Sequence, residues 1–157
     1  MDAIVLLKAD HKTVEQLFKD FEKASDGAVQ TKKKIVDSVI EALTQHAYIE
    51  EEIFYPAARA AVPETEEHVL ESVEEHHVVV WMMSELVGMD PSDERYNAKF
   101  TVLMENVRHH VGEEEQDWFP KVRKAMGRAR LVELGEQMLA AKDDAPRDPL
   151  ALQSARS

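Results

Sequence analysis

Apolar residues recur at spacings of three and four through most of the chain, a helical period that predicts helices and no β-sheet. The first helix is expected from about Asp2 to Ala24, with Ile4, Leu7, His11, Val14, Phe18 and Phe21 along its inward stripe. Ser25, Asp26 and Gly27 break the pattern. A second helix, from about Thr31 to Ala61, carries Ile35, Val39, Ala42, His46, Ile49 or Glu50, and Ile53 on one face. After Val62 and Pro63 a third helix, from about Thr65 to Val87, aligns Val69, Val73, His76, Val80, Met83 and Val87. The face through the adjacent His77 would contain Glu74 and Ser84, so His76 is the inward histidine. Gly88 to Pro91 ends this helix, and Ser92 with Asp93 and Glu94 reads as the cap and acidic first turn of a fourth. That helix places Phe100, Leu103, Val107, His110 and Glu114 on one face, whereas His109 falls with Glu105 and Glu113. A shorter fifth helix is expected from about Arg128 to Lys142, striped by Leu131, Leu134 and Met138, and lying across the others. From Asp143 the chain reads as a mobile tail.

Four of these inward stripes carry a histidine, and the histidines repeat. A lone His is followed about 35 residues later by His-x-x-x-Glu, first as His11, His46 and Glu50, then as His76, His110 and Glu114. The lone histidines are offset by 65 residues, and the His, the Glu and the proline that closes each motif (Pro56, Pro120) by 64. Residues four apart share a helix face, so each His-x-x-x-Glu presents an imidazole and a carboxylate to one point. One histidine on an apolar face is ordinarily a hydrogen-bonded core residue, but four in register with two carboxylates are a different matter. Burying both carboxylates without partners would cost several kcal/mol each, which a cation offsets and a plain core does not. Six nitrogen and oxygen donors suit iron, manganese or zinc. Shared by two ions with carboxylates able to bridge, they favour a dinuclear site with open positions, and iron best. Open positions admit dioxygen, peroxide or nitric oxide.

Composition narrows the chemistry further. The absence of cysteine excludes disulfides, thiolate zinc and iron–sulfur clusters. A formal charge of −12 argues against a nucleic-acid groove. No apolar run is long enough to span a membrane, and the first residues lack the basic region of a signal peptide, so a cytoplasmic location is expected. With 157 residues the chain is expected to hold one domain, a bundle over 1–127 with an added helix over 128–142 and a tail over 143–157.

The strings HAYIEEEIFYP (46 to 56) and HHVGEEEQDWFP (109 to 120), led by DHKTVEQLF and EHHVVVWMM, resemble the hemerythrin-like or HHE cation-binding domain over about residues 2 to 126. The resemblance implies an all-α, up-down-up-down four-helix bundle around a non-heme pair of iron ions, oxo- or hydroxo-bridged. By that likeness His11, His46, His76 and His110 would be terminal ligands, and Glu50 and Glu114 would bridge. The oxygen carriers of the family have a second histidine one turn after the third-helix His, where this chain has Val80. They also use an Asp five residues after the last His, where this chain has Glu114 at four. The implied role is therefore a catalase- or peroxidase-like reaction with small-molecule oxidants such as peroxide and nitric oxide. The alternative is oxygen or iron binding, sensing or storage without turnover. Neither nucleic acid nor membrane is an expected partner.

Around the candidate ligands, Phe54 and Trp118 lie four residues beyond Glu50 and Glu114 and are expected to roof the metal pair. Tyr48 and Tyr55 fall off that face, which argues against a phenolate ligand. Trp81, Met82 and Met83 are read as core or as the lining of an access path, and His68, His77 and His109 as surface residues. Glu51 and Glu115 are read as solvated charges, with hydrogen bonding to a ligand imidazole as the sharper role. Substituting His46→Ala or Glu50→Ala is expected to abolish bound metal and its colour, while His77→Ala and His109→Ala leave both. Unchanged metal content in the first pair would overturn the ligand assignment.

Overall fold

Asp2 starts the first helix by accepting a hydrogen bond from the Val5 amide at 2.9 Å, an N-cap that satisfies one of the orphan donors of the first turn. The computed structural model of the chain describes residues 1–156, with side chains to Leu152; Ser157, the end of the expected tail, lies outside them. Helix α1 is Ala3–Lys23 and buries the expected stripe, Ile4, Leu7, His11, Val14, Phe18 and Phe21. Helix α2 is Val29–Ile49, its buried face running through Val36, Val39, Ile40, Leu43 and His46, slightly rotated from the expected one. Helix α3 is Tyr55–Ala61, α4 is Glu66–Val87 and α5 is Tyr96–Glu113. Helix α6, Phe119–Asp144, is bent at Gly127, whose φ of 77° suits glycine alone; α7 is Pro149–Arg156. No strand occurs among the described residues. Among the described residues no helix is long and apolar enough to cross a membrane.

The all-α class expected from the sequence holds, but several elements differ. The expected second helix is interrupted by a π-helical turn, Glu50–Phe54, and a second π turn, Glu114–Trp118, joins α5 to α6. Each sits just before a proline, Pro56 or Pro120. Proline has no N–H to give the carbonyl four residues back and its ring crowds that carbonyl, so a wider turn relieves the chain. Ser92 is not the cap of α5. Its amide and hydroxyl both bond Asp90 Oδ1, Asp93 Oδ1 accepts from the Arg95 amide, and the helix begins only at Tyr96.

The tail expected to be mobile from Asp143 is also corrected. Helix α6 runs on to Asp144, and Asp148 accepts the Leu150 amide at 2.9 Å ahead of Pro149, opening α7. Leu152 is buried in the core, and α7 lies against α4 and α2. Asp-Pro at a helix start is a recognisable signal, an N-cap followed by a residue already fixed for the first turn.

Helix α1 packs on α2 and on α6, and α4 packs on α5. The core divides in two. One cluster holds Val14, Phe18, Leu43, Val80, Met83, Phe100 and Leu103; the other holds Ile4, Leu7, Phe54, Tyr55, Trp118, Phe119, Leu131 and Leu134. Between them, on four helices, lies a polar layer of buried histidines and glutamates.

Helix α6 reaches the start of α1 through Gly135, where an added Cβ would press on the Met1 carbonyl oxygen and come within 2.9 Å of the Ala3 nitrogen. Gly135→Ala is therefore expected to destabilise the fold by about 1–3 kcal/mol, the usual cost of overpacking. Gly112→Ala, a helix position whose Cβ meets nothing within 4 Å, is expected to stabilise it by about 0.5–1 kcal/mol. Urea unfolding of the two variants checks both signs.

Candidate metal centre

The polar layer contains the six residues singled out by the repeat. His11, His46, His76 and His110 are each 7% exposed or less, and Glu50 and Glu114 are fully buried. Their inward atoms converge. Glu50 Oε1 lies 3.1 Å from His46 Nε2 and 3.3 Å from His76 Nε2; Glu114 Oε1 lies 3.4 Å from His11 Nε2 and 3.5 Å from His110 Nε2. His11 and His46 meet Nε2 to Nε2 at 3.2 Å. Two donor sets compact enough for one ion each result, His11, His46, Glu50 and Glu114 in one, Glu50, His76 and His110 in the other. Glu50 belongs to both.

The outer nitrogens are held as uniformly as the inner ones. Each Nδ1 meets a carboxylate from a neighbouring element: His46 with Asp10 at 2.9 Å, His76 with Glu51 at 3.0 Å, His110 with Glu75 at 2.8 Å and His11 with Glu115 at 2.6 Å. The four pairs run from α1 to α2, from the first π turn to α4, from α4 to α5, and from the second π turn back to α1, closing a ring around the layer. Fixing Nδ1 in this way leaves Nε2 as the inward donor and sets the ring plane. For Glu51 and Glu115 the sharper of the two sequence readings thus describes their contacts. Asp10 and Glu75 were missed, although the duplication contains them: each directly precedes a lone histidine, at the same offset of 65. Asp10 also reaches α6, accepting from Lys142 Nζ at 2.5 Å.

Tyr55, expected off the ligand face, is in the layer. Its hydroxyl donates to Glu114 Oε2 at 2.8 Å and lies 3.2 Å from His76 Nε2 and 3.4 Å from His110 Nε2, with the ring stacked on His76. The π turn explains the error. One extra residue in the turn brings the fifth residue after Glu50 to the face where regular α-helix would place the fourth. The same shift in the other half stacks Phe119 on His11 at 6.1 Å. Phe54 and Trp118, the residues expected to roof the pair, instead meet edge to face one layer deeper. Trp81, expected in the core, is 62% exposed, whereas Met83 is buried. His68, expected at the surface, is partly covered and tilts onto Trp118; His77 is half-buried and His109 exposed.

On the side away from these aromatics a cavity of about 40 Å³ opens against the four imidazoles, walled by Val14, Leu43, Ala47, Val80, Met83 and Val107.

The electrostatics follow from burial and neighbours. Burial acts to lower the pKa of His46, but the Glu50 and Asp10 carboxylates outweigh it and push it up to about 10. His110 goes to about 11 in the same way, through Glu114 and Glu75, and His76 also rises. Burial and the mutual repulsion of the two glutamates would raise Glu50, yet the facing imidazoles hold it below its usual value, and Glu114 well below. Tyr55 is pushed far up by burial and by both carboxylates, so its hydroxyl stays protonated. Both oxygens of Glu50 and Oε1 of Glu114 nevertheless receive no hydrogen bond of good geometry. Buried carboxylate oxygens short of donors, faced by imidazole nitrogens held in place by the outer carboxylates, make a nitrogen and oxygen donor set suited to a cation such as iron, manganese or zinc.

The hemerythrin HHE cation binding domain family matches residues 2–122 of the chain. In structure the chain is similar to a hemerythrin HHE cation binding domain-containing protein from Mycobacterium kansasii, with a TM-score of 0.78 and 25% identity over all of this chain and 93% of that one. In sequence it is similar to a DNA nickase from Nostoc sp. (strain PCC 7120 / SAG 25.82 / UTEX 2576), 24% identical over 137 residues. That stretch is 87% of this chain but 38% of the nickase.

The raised histidines give the metal-free protein a defined pH dependence. A histidine whose pKa rises from 6.5 on folding stabilises the fold fully below 6.5, and loses that contribution as pH climbs through about 10 for His46 and 11 for His110. The lowered glutamates contribute above 4.5 and lose it on acidification. The urea midpoint of metal-free protein is expected to be highest between pH 4.5 and 6.5 and to fall from there toward 10. A midpoint that climbs over the alkaline range would contradict buried imidazolium. Metal uptake at neutral pH should also release protons, seen as buffer-dependent binding heats.

Proposed function

Because the chain belongs to the hemerythrin HHE cation binding domain family, we propose that it is a non-heme di-iron protein that binds and reacts with hydrogen peroxide, nitric oxide or dioxygen in a catalase- or peroxidase-like protective role. The carrying observation is the sharing of Glu50 between two compact donor sets, which suits two ions bridged by a carboxylate. On this reading His11, His46, His76, His110, Glu50 and Glu114 would hold the ions. The Tyr55 hydroxyl is a further oxygen donor available to the set of Glu50, His76 and His110. The closed ring of Nδ1–carboxylate pairs supports the up-down-up-down bundle implied by the sequence resemblance.

A bound iron pair supplies open coordination positions and one-electron redox chemistry. The chain's own residues decide what reaches it and in what state. Val80 puts a methyl-lined wall where a donor side chain would occupy space, and the cavity it lines has room for only about three water-sized molecules, taking 10–15 Å³ for each. Molecules of two to four atoms fit this volume, and its aliphatic walls disfavour charged ones. Asp10, Glu51, Glu75 and Glu115 keep the imidazoles oriented and electron-rich. Tyr55, on the face of the layer away from that cavity, holds a proton against Glu114, 2.8 Å away. The charge of −12 accords with small-molecule partners in the cytoplasm rather than nucleic acid or membrane.

Elemental analysis of protein made in iron-replete medium, read with its visible spectrum, tests the proposal. Two irons per chain and consumption of peroxide or nitric oxide are the expected result. Two irons without turnover would favour the alternative of non-catalytic oxygen or iron binding, and zinc, one metal or none would overturn the di-iron reading.

A further inference from the structure

The duplication that pairs the candidate ligands also pairs their neighbours, and here the two halves differ. Phe54 is equivalent to Trp118, and Tyr55 to Phe119. Each half thus contributes one ring that resists one-electron oxidation and one that permits it. The two oxidisable rings touch across the halves: Tyr55 and Trp118 lie 5.6 Å apart between centroids, at 67°. The inert pair, Phe54 and Phe119, fills the other diagonal at 5.8 Å.

The ends of the oxidisable pair differ too. The Tyr55 hydroxyl is in the ligand layer, hydrogen-bonded to Glu114. Trp118 is 2% exposed, but its indole N–H is fixed by Thr65 Oγ1 at 3.0 Å and its face is covered by His68, centroid to centroid 4.7 Å. His68 is itself partly exposed, so one ring's thickness separates Trp118 from solvent. On the opposite side of the layer no tyrosine or tryptophan lines the cavity among the described residues.

We propose that Tyr55 and Trp118 form a one-electron conduit from the candidate centre to the surface beside His68, where phenol-class reductants supply the electrons that reduce peroxide. Electron tunnelling falls steeply with distance, so two short steps through touching rings outpace one long jump through aliphatic core. In each round Tyr55 would give one electron toward peroxide at the candidate centre and the proton of its hydroxyl to the hydrogen-bonded layer around it, leaving a neutral phenoxyl radical. An electron from Trp118 and return of that proton restore the phenol and leave an indole radical cation. A phenol at the surface then reduces the indole and releases its own proton to water. After two rounds, one hydrogen peroxide and two phenols have become two waters and two phenoxyl radicals. The conduit rests on the oxidant-handling reading above and selects peroxidase-type over catalase-type turnover.

Two experiments separate the conduit from that reading. The first uses metal-free protein carrying Trp81→Phe, which removes the exposed indole, photo-oxidised by a ruthenium polypyridyl complex with persulfate and frozen for electron paramagnetic resonance. A tyrosyl signal lost in Tyr55→Phe, and lost again in Trp118→Phe, is expected; full Tyr55 signal in Trp118→Phe would overturn the conduit. The second uses iron-loaded protein with peroxide and guaiacol. Trp118→Phe should keep its two irons and its visible spectrum while losing guaiacol oxidation, and Trp118→Tyr, which restores an oxidisable ring, should recover it. Unimpaired guaiacol oxidation in Trp118→Phe would overturn the conduit and leave the oxidant reading standing. Iron-loaded wild-type protein that leaves peroxide untouched would overturn that reading, and the conduit's peroxidase role with it.

Discussion

Two carboxylates at zero exposure in the middle of a helical core are the constraint from which the rest of the site follows. Neither Glu50 nor Glu114 could remain charged there without opposite charge close by, and the chain answers with four imidazoles aimed at them. Those imidazoles need orientation, and the outer ring of Asp10, Glu51, Glu75 and Glu115 provides it. The ring ties each element to the next, so the same contacts that fix the donors also fix how four helices meet. Without a cation, His46, His76 and His110, each with its pKa raised by the carboxylates it faces, set positive charge against the negative.

The prolines have a larger part in this than their number suggests. Each relieves its conflict with the preceding carbonyl through a π turn, and each π turn rotates the residues after the glutamate. Without that rotation Phe54 and Trp118 would face the histidine and glutamate layer. With it, Tyr55 and Phe119 do, and the two halves of a nearly symmetrical site acquire different chemistry: a hydroxyl against His76 and a bare phenyl ring against His11.

How much of this was legible in the sequence depended on whether the α-helical period was kept. The six residues of the layer lie before or at the start of the π turns, where spacing by three and four holds, and periodicity with duplication was enough to single them out. Tyr55 lies beyond the turn and was lost, because a period of 3.6 projected through an inserted residue points to the wrong face. Asp10 and Glu75 were lost for another reason. Each flanks a histidine of the layer at one residue's distance, which on a helix face looks like solvent exposure, and only their shared offset marked them. Trp81 shows the converse, an apolar residue read as core that the helix turns outward. At the chain end, two prolines and several polar residues suggested mobility, although Asp148-Pro149 is also a helix start and Leu152 an anchor.

The contact of Lys142 with Asp10 joins residues 132 positions apart. Asp10 is the carboxylate that orients His46, and its counter-charge arrives from the far end of the last long helix. A chain made from its N-terminus onward therefore presents every histidine and glutamate of the layer before it presents this lysine. The order of synthesis sets the order of assembly: α1, α2, α4 and α5 can gather their donors, but the ring gains this last counter-charge only once Lys142 has emerged and α6 has folded back along α1.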